Sequence, residues 1–231
     1  MTDITSIRPD TDQPALAASH RRDRPGDGDR GFTLVEVAIA LMVIALLVGT
    51  VLQAQGMVGN TRVQALISDV GAIRTAFSQF QERYGALPGD YAGAAGLRTG
   101  VAPGNGDGVL AGTGPSDESA AVWQHLTAAQ FLTNLKIPAT GVLVPATPLG
   151  GQYQVFQDST GTWLRIGNMA TSDNSGPLLT VEQARRLDQE LDDGLPATGS
   201  VMNKTPACQG EGINIYNLTS SATCLVQVLM P

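Results

Sequence analysis

Gly31-Phe32-Thr33-Leu34-Val35-Glu36 opens a run that stays apolar as far as Leu52. From 34 to 52 there are 19 residues with no proline and one ionisable side chain, Glu36. Such a run is long enough to cross a bilayer as a single helix. Glu36 is the anomaly in it, because a carboxylate in hydrocarbon costs about 2.5–3.5 kcal/mol even on lenient insertion scales and usually marks function. A partner must neutralise it. The arginines Arg21, Arg22, Arg24 and Arg30 stand immediately before the run, so the positive-inside rule puts the N-terminus in the cytoplasm and the bulk of the chain across the membrane.

The hexapeptide with its apolar continuation resembles the processing and assembly motif of type IV prepilins and of the pseudopilins of type II secretion, over about the first quarter of the chain. The resemblance implies cleavage by a prepilin peptidase between Gly31 and Phe32, N-methylation of Phe32, and an assembly role for Glu36. It also implies as partners other pilin-like subunits, an inner-membrane assembly platform and an ATPase. The location implied is the bacterial inner membrane with the C-terminal part periplasmic, then a filament or the cell surface. Residue chemistry agrees with this. Glycine lets the backbone enter a protease extended and without a side chain in the way. Cleavage creates an amine four residues from Glu36, one helical turn away on the same chain or within reach on a neighbour. In a low dielectric that pairing is strong, and a lone charge is not tolerated.

Domain organisation follows: 1–31 a leader that is removed, 32–53 the membrane half of an N-terminal helix, 54–85 its amphipathic half, and 86–231 a head domain of moderate size. The leader is polar, rich in Asp, Arg and Pro, and lacks the apolar region of a secretory signal. It is longer than many prepilin leaders, so either a long-leader variant or an upstream start codon is expected. Removing its five arginines and six aspartates leaves nine basic and fifteen acidic residues, a net charge of −6, which argues against a broad nucleic-acid-binding surface. Cys208 and Cys224 are the two cysteines, both in the exported part, where a disulfide can form. Two free buried thiols are the other reading; a metal site would lack nearby Cys or His partners.

Beyond the apolar run, Val63, Leu66, Ile67, Val70, Ile73, Phe77, Phe80 and Tyr84 form one stripe on a 3.6-residue period. A helix from Thr33 to Tyr84 is roughly 80 Å long at 1.5 Å per residue and stops at Gly85, ahead of Pro88. The mid-helix proline common in related subunits is absent. Residues 85–115 read as a long ordered loop or a flexible connection. A short helix over 116–132 offers Val122, Trp123, Leu126, Phe131 and Leu132 to the core, and carries His125 as a packing or surface residue. Residues 151–158 and 162–169 alternate around Asp158-Ser159-Thr160-Gly161 as a hairpin, with Val155, Trp163 and Ile166 facing the long helix. Thr180-Val181-Glu182-Gln183 is a capping box opening a helix to Leu191. Residues 212–218 and 223–229 read as two strands closing the sheet. The expected fold is α+β and pilin-like: a long N-terminal helix on a small antiparallel sheet, with one or two short helices.

Asn105-Gly106-Asp107-Gly108 matches only the middle of a calcium loop, since the first and last ligand positions fall on Pro103 and Gly114. Asp192 and Asp193 are a second acidic pair. These four residues, Asn105, Asp107, Asp192 and Asp193, are the calcium candidates, set against plain turns and solvated acids. No nucleophile elbow, His-Glu-x-x-His, P-loop or paired Cys-x-x-Cys occurs, and only His20 and His125 are histidines, so no catalytic residue is assigned. The sequence reads as a structural filament subunit and not an enzyme. A secretion pseudopilin or a minor tip subunit with a binding role stays open beside it, as does, from another class, a membrane-anchored binding protein or enzyme.

Overall fold

The computed structural model describes residues 31–114, 116–133, 144–168, 176–212 and 214–231, and within 50–58 the backbone alone. Among the described residues three α-helices and six strands follow in order: α1 (Leu34–Tyr84), α2 (Glu118–Ala128), β1 (Gln152–Asp158), β2 (Gly161–Gly167), β3 (Leu179–Thr180), α3 (Val181–Leu191), β4 (Val201–Asn203), β5 (Thr223–Cys224) and β6 (Val226–Leu229). The chain divides into two compact units, Met1–Gly49 and Thr50–Pro231.

Within the second unit the stripe on α1 does what its period requires. Val63, Leu66, Val70, Ile73, Phe77 and Phe80 are each at most 2% exposed, because i, i+3, i+4 spacing holds them on one side of the helix. The helix ends where Gly85, at φ +65°, donates its N–H to the Gln81 carbonyl at 2.9 Å. A left-handed residue there favours glycine.

That stripe packs on a four-stranded sheet of order β1-β2-β6-β4, antiparallel throughout. Tyr153, Val155, Leu164, Ile166, Val201, Val226 and Val228 join the α1 residues in one core. The Tyr153 hydroxyl also donates to Asp69 of α1 at 3.0 Å. Trp163 corrects the expectation: a strand alternates faces at every residue, so Trp163 and Ile166, three apart, point to opposite sides. Trp163 lies opposite Phe156 and Leu229 in the register, with its indole N–H donating to Thr160 Oγ1 and Asp158 Oδ1.

The hairpin forms with Ser159 and Thr160 as its turn. α2 is shorter than 116–132, closing where Gln130 takes φ +63° and the Phe131 N–H reaches back to Leu126 O. α3 begins at the expected capping box, with both reciprocal bonds present between Thr180 and Gln183. Of the expected strand 212–218, residue 213 lies outside the described residues and 212 and 214–218 are not in a strand. Among the described residues that segment makes one bridge, Gln209 with Tyr216, and spends its polar groups on loop contacts: Asn214 accepts the Ala197 N–H, and Tyr216 donates to Asp188. Residues 223–229 split in two. β5 pairs with β3 in a separate ribbon, while β6 sits between β2 and β4. The break is at Leu225, whose N–H goes to Thr205 Oγ1. β4, three residues long, was too short to show a period.

Candidate processing and assembly site

Gly31, Phe32 and Thr33 precede the first helical turn and are exposed, Phe32 by 79%. Thr33 caps α1: its Oγ1 accepts the Glu36 N–H at 3.2 Å and its carbonyl accepts the Val37 N–H at 3.2 Å. A threonine followed three residues later by glutamate is the capping-box spacing, a signal present in the sequence but not read from it above. The hexapeptide therefore combines a flexible glycine with a helix start two residues beyond Phe32. Glu36 is the acidic residue of the first turn, where the helix dipole favours a negative charge.

From Leu34 to Val48 the large apolar side chains lie exposed in every direction around α1, Val35, Ile39, Met42, Leu46 and Val48 among them. A helix apolar all round belongs in lipid or among other helices. Among the described residues no helix is long and apolar enough to cross a membrane. The expected span 32–53 is therefore not identified in the structure.

Cys208 and Cys224 form a disulfide, both fully buried, joining the turn at Pro206–Cys208 to β5.

The calcium candidates fall in two loops, each organised by an aspartate that the sequence did not single out. In the first, Asp90 is 2% exposed and its carboxylate accepts three backbone N–H groups, from Gly106 (2.7 Å) and Asp107 (3.1 Å) at Oδ1 and from Gly108 (2.8 Å) at Oδ2. Glu118 accepts from Asn105 and Ala111, while Asn105 and Asp107 bond each other and Asp107 accepts the Val109 N–H. In the second, Asp188 is fully buried between the Gly194 N–H and the Tyr216 hydroxyl. Burial, with the Asp193 and Asp192 charges adding a little, pushes its carboxyl up to about 6 against the bonds from Tyr216 and Gly194. Asp192 accepts from Ser200 and Val201, and Asp193 from Leu195 and Thr198. Each set brings three carboxylates close together, Asp90 with Asp107 and Glu118, and Asp188 with Asp192 and Asp193. A calcium site presents oxygens to the ion; most of these carboxylate oxygens also accept N–H or O–H bonds that organise the two loops.

His125 is a core residue. Its Nδ1 accepts the Gly89 N–H at 2.9 Å, and Nε2, as the protonated nitrogen, donates to Ala102 O at 2.8 Å. Burial lowers its pKa, opposed by the Ala102 bond and by the Glu118 and Asp90 charges.

Residues 27–52 match the family described as the prokaryotic N-terminal methylation motif, and the chain carries that motif. No curated protein sequence matches the chain. Among solved structures the chain is similar to the major type IV pilin PilA1 from Clostridium difficile, at a TM-score of 0.38 and 14% identity, over 73% of this chain and 92% of that one. A likeness that distant assigns nothing to the head.

Proposed function

We propose that the chain is a structural subunit of a type IV pilus or pilus-like filament. A prepilin peptidase cuts it after Gly31, Phe32 becomes the N-methylated terminus, and subunits assemble through α1. The observation that carries this is the methylation motif at 27–52, which holds the start of α1, where from Leu34 to Val48 the side chains are exposed and apolar on every side apart from Glu36 in the first turn. Before assembly the apolar run lies in the inner membrane, with the leader arginines on the cytoplasmic side and the head across the membrane. The Cys208–Cys224 disulfide suits an oxidising compartment there.

In assembly the helix leaves lipid for a bundle of like helices. The gain comes from close packing and from charge pairing rather than from escaping water. Glu36, unpaired, disfavours the bundle core; facing the cationic terminus of a neighbouring subunit, it favours one axial register. An inner-membrane platform and an ATPase supply the work of extraction. The first hydrogen bond of α1 survives in Glu36→Ala, because Thr33 is bonded by the backbone N–H of residue 36 and not by its side chain. That variant is cut and inserted normally but is missing from sheared filaments; filaments of normal yield from it contradict the assembly role. Imaging of the sheared fraction separates the two settings that share this chemistry: long surface fibres indicate a pilus, their absence a secretion pseudopilus.

A further inference from the structure

We propose that Asp90 and Asp188 protect the head against succinimide chemistry, by which Asn-Gly and Asp-Gly sequences age. Three such sequences lie among the described residues: Asn105-Gly106, Asp107-Gly108 and Asp193-Gly194, with Asn105, Asp107 and Asp193 all exposed. The turns themselves require the glycines, which take φ +78°, +84° and +77°. L side chains rarely adopt that conformation. The geometry of the loops thus dictates the sequences most prone to break down.

The reaction begins when the glycine nitrogen attacks the preceding side-chain carbonyl carbon, Cγ. The N–H proton passes to solvent, a C–N bond closes the ring, and at Asn105 the Cγ–Nδ2 bond breaks with loss of ammonia. Water then reopens the ring to aspartate or isoaspartate. At Asp107 and Asp193 the carboxyl reacts after taking up a proton from solvent, water is then the leaving group, and reopening to isoaspartate leaves the mass unchanged.

All three glycine N–H groups are bound by a buried carboxylate. Gly106 and Gly108 donate to Asp90 at 2.7 and 2.8 Å, and Gly194 donates to Asp188 at 2.9 Å. The side chain that carries the electrophile is fixed as well. Asn105, Asp107 and Asp193 each use a side-chain oxygen to accept the N–H two residues on, from Asp107, Val109 and Leu195, at 2.8, 2.9 and 2.9 Å. Losing a proton beside a carboxylate places two negative charges together, which disfavours the reactive amide anion. One arrangement, repeated in two loops far apart in sequence, ties nucleophile and electrophile into other hydrogen bonds and suppresses the charge that the attack needs. It suits a protein that is not renewed once exported.

The test ages the full-length protein in detergent micelles at neutral pH, where both reactions proceed, and maps Asn105, Asp107 and Asp193 by mass spectrometry with isoaspartate detection. In Asp90→Asn, conversion at Asn105 and Asp107 rises about tenfold or more, as expected for loss of a charge-assisted hydrogen bond, while Asp193 is unchanged. In Asp188→Asn the pattern is reversed. Unchanged rates in both variants, or acceleration at all three positions in either, which is what general loosening produces, overturns the proposal. Hydrogen exchange on the unaltered protein supplies a check without a variant: the Gly106, Gly108 and Gly194 amides exchange slowly, and exchange at open-loop rates contradicts it.

Discussion

His125 Nδ1 accepts the backbone N–H of Gly89 at 2.9 Å across 36 positions of sequence, fastening the loop after α1 to α2. The ring is fully buried and stacks on Phe80 with centroids 6.0 Å apart. Protonation destroys the acceptor at Nδ1, so the fold holds the neutral form.

The folded pKa lies below the ordinary 6.5, which sets the sign of the pH dependence. Above 6.5 both states are neutral and the contribution of His125 is complete; as pH falls from there the unfolded chain takes up the proton first, and stability is lost until the depressed folded value is passed. His125→Phe removes this dependence and leaves the Gly89 N–H and Ala102 C=O unpaired, at a cost of about 2–4 kcal/mol. Urea melts of both proteins across the pH range check the slope and the cost.

Asp188 works in the opposite direction. Its folded carboxyl is raised to about 6 from 3.8, so its contribution is complete below 3.8 and is lost as pH rises through about 6. Asp188→Asn therefore flattens the part of the stability profile that declines between these values. A difference profile between Asp188→Asn and the unaltered protein, measured by thermal melting, isolates the effect from that of His125.

Reduction of Cys208–Cys224 opens a loop closed across a sequence separation of 16. In the chain-entropy model this costs about 3 kcal/mol. Because the bridge joins the Pro206–Cys208 turn to the β3–β5 ribbon, amides at Leu179 and Cys224 lose exchange protection before those of β2 and β6. Hydrogen exchange with and without reductant reads the order.

The helices were legible in the sequence because their signals are local. The α1 stripe, the Thr180–Gln183 capping box and the glycine after Tyr84 each act within a turn or two, and each stands where the pattern put it. What was hidden depends on distant pairing. Asp90 reads as an ordinary turn acid until the fold brings the N–H groups of Gly106, Asp107 and Gly108 onto it. His125 has no sequence neighbours to explain it, since its partners are backbone atoms of Gly89 and Ala102. Residues 212–218 carry strand-like side chains, but Tyr216 is drawn to Asp188 instead of into the sheet. At the N-terminus the motif was plain, and the cap formed by Thr33 adds that the helix is built to begin just past the expected cut.

The central claim is that a severed bond after Gly31 frees the cationic end that Glu36 awaits. Mass spectrometry of the N-terminal peptide, from cells that hold a working prepilin peptidase, tests it most directly. A terminus at Phe32 bearing one added methyl group is the predicted result; a chain that still begins at Met1, or one cut elsewhere, contradicts the account.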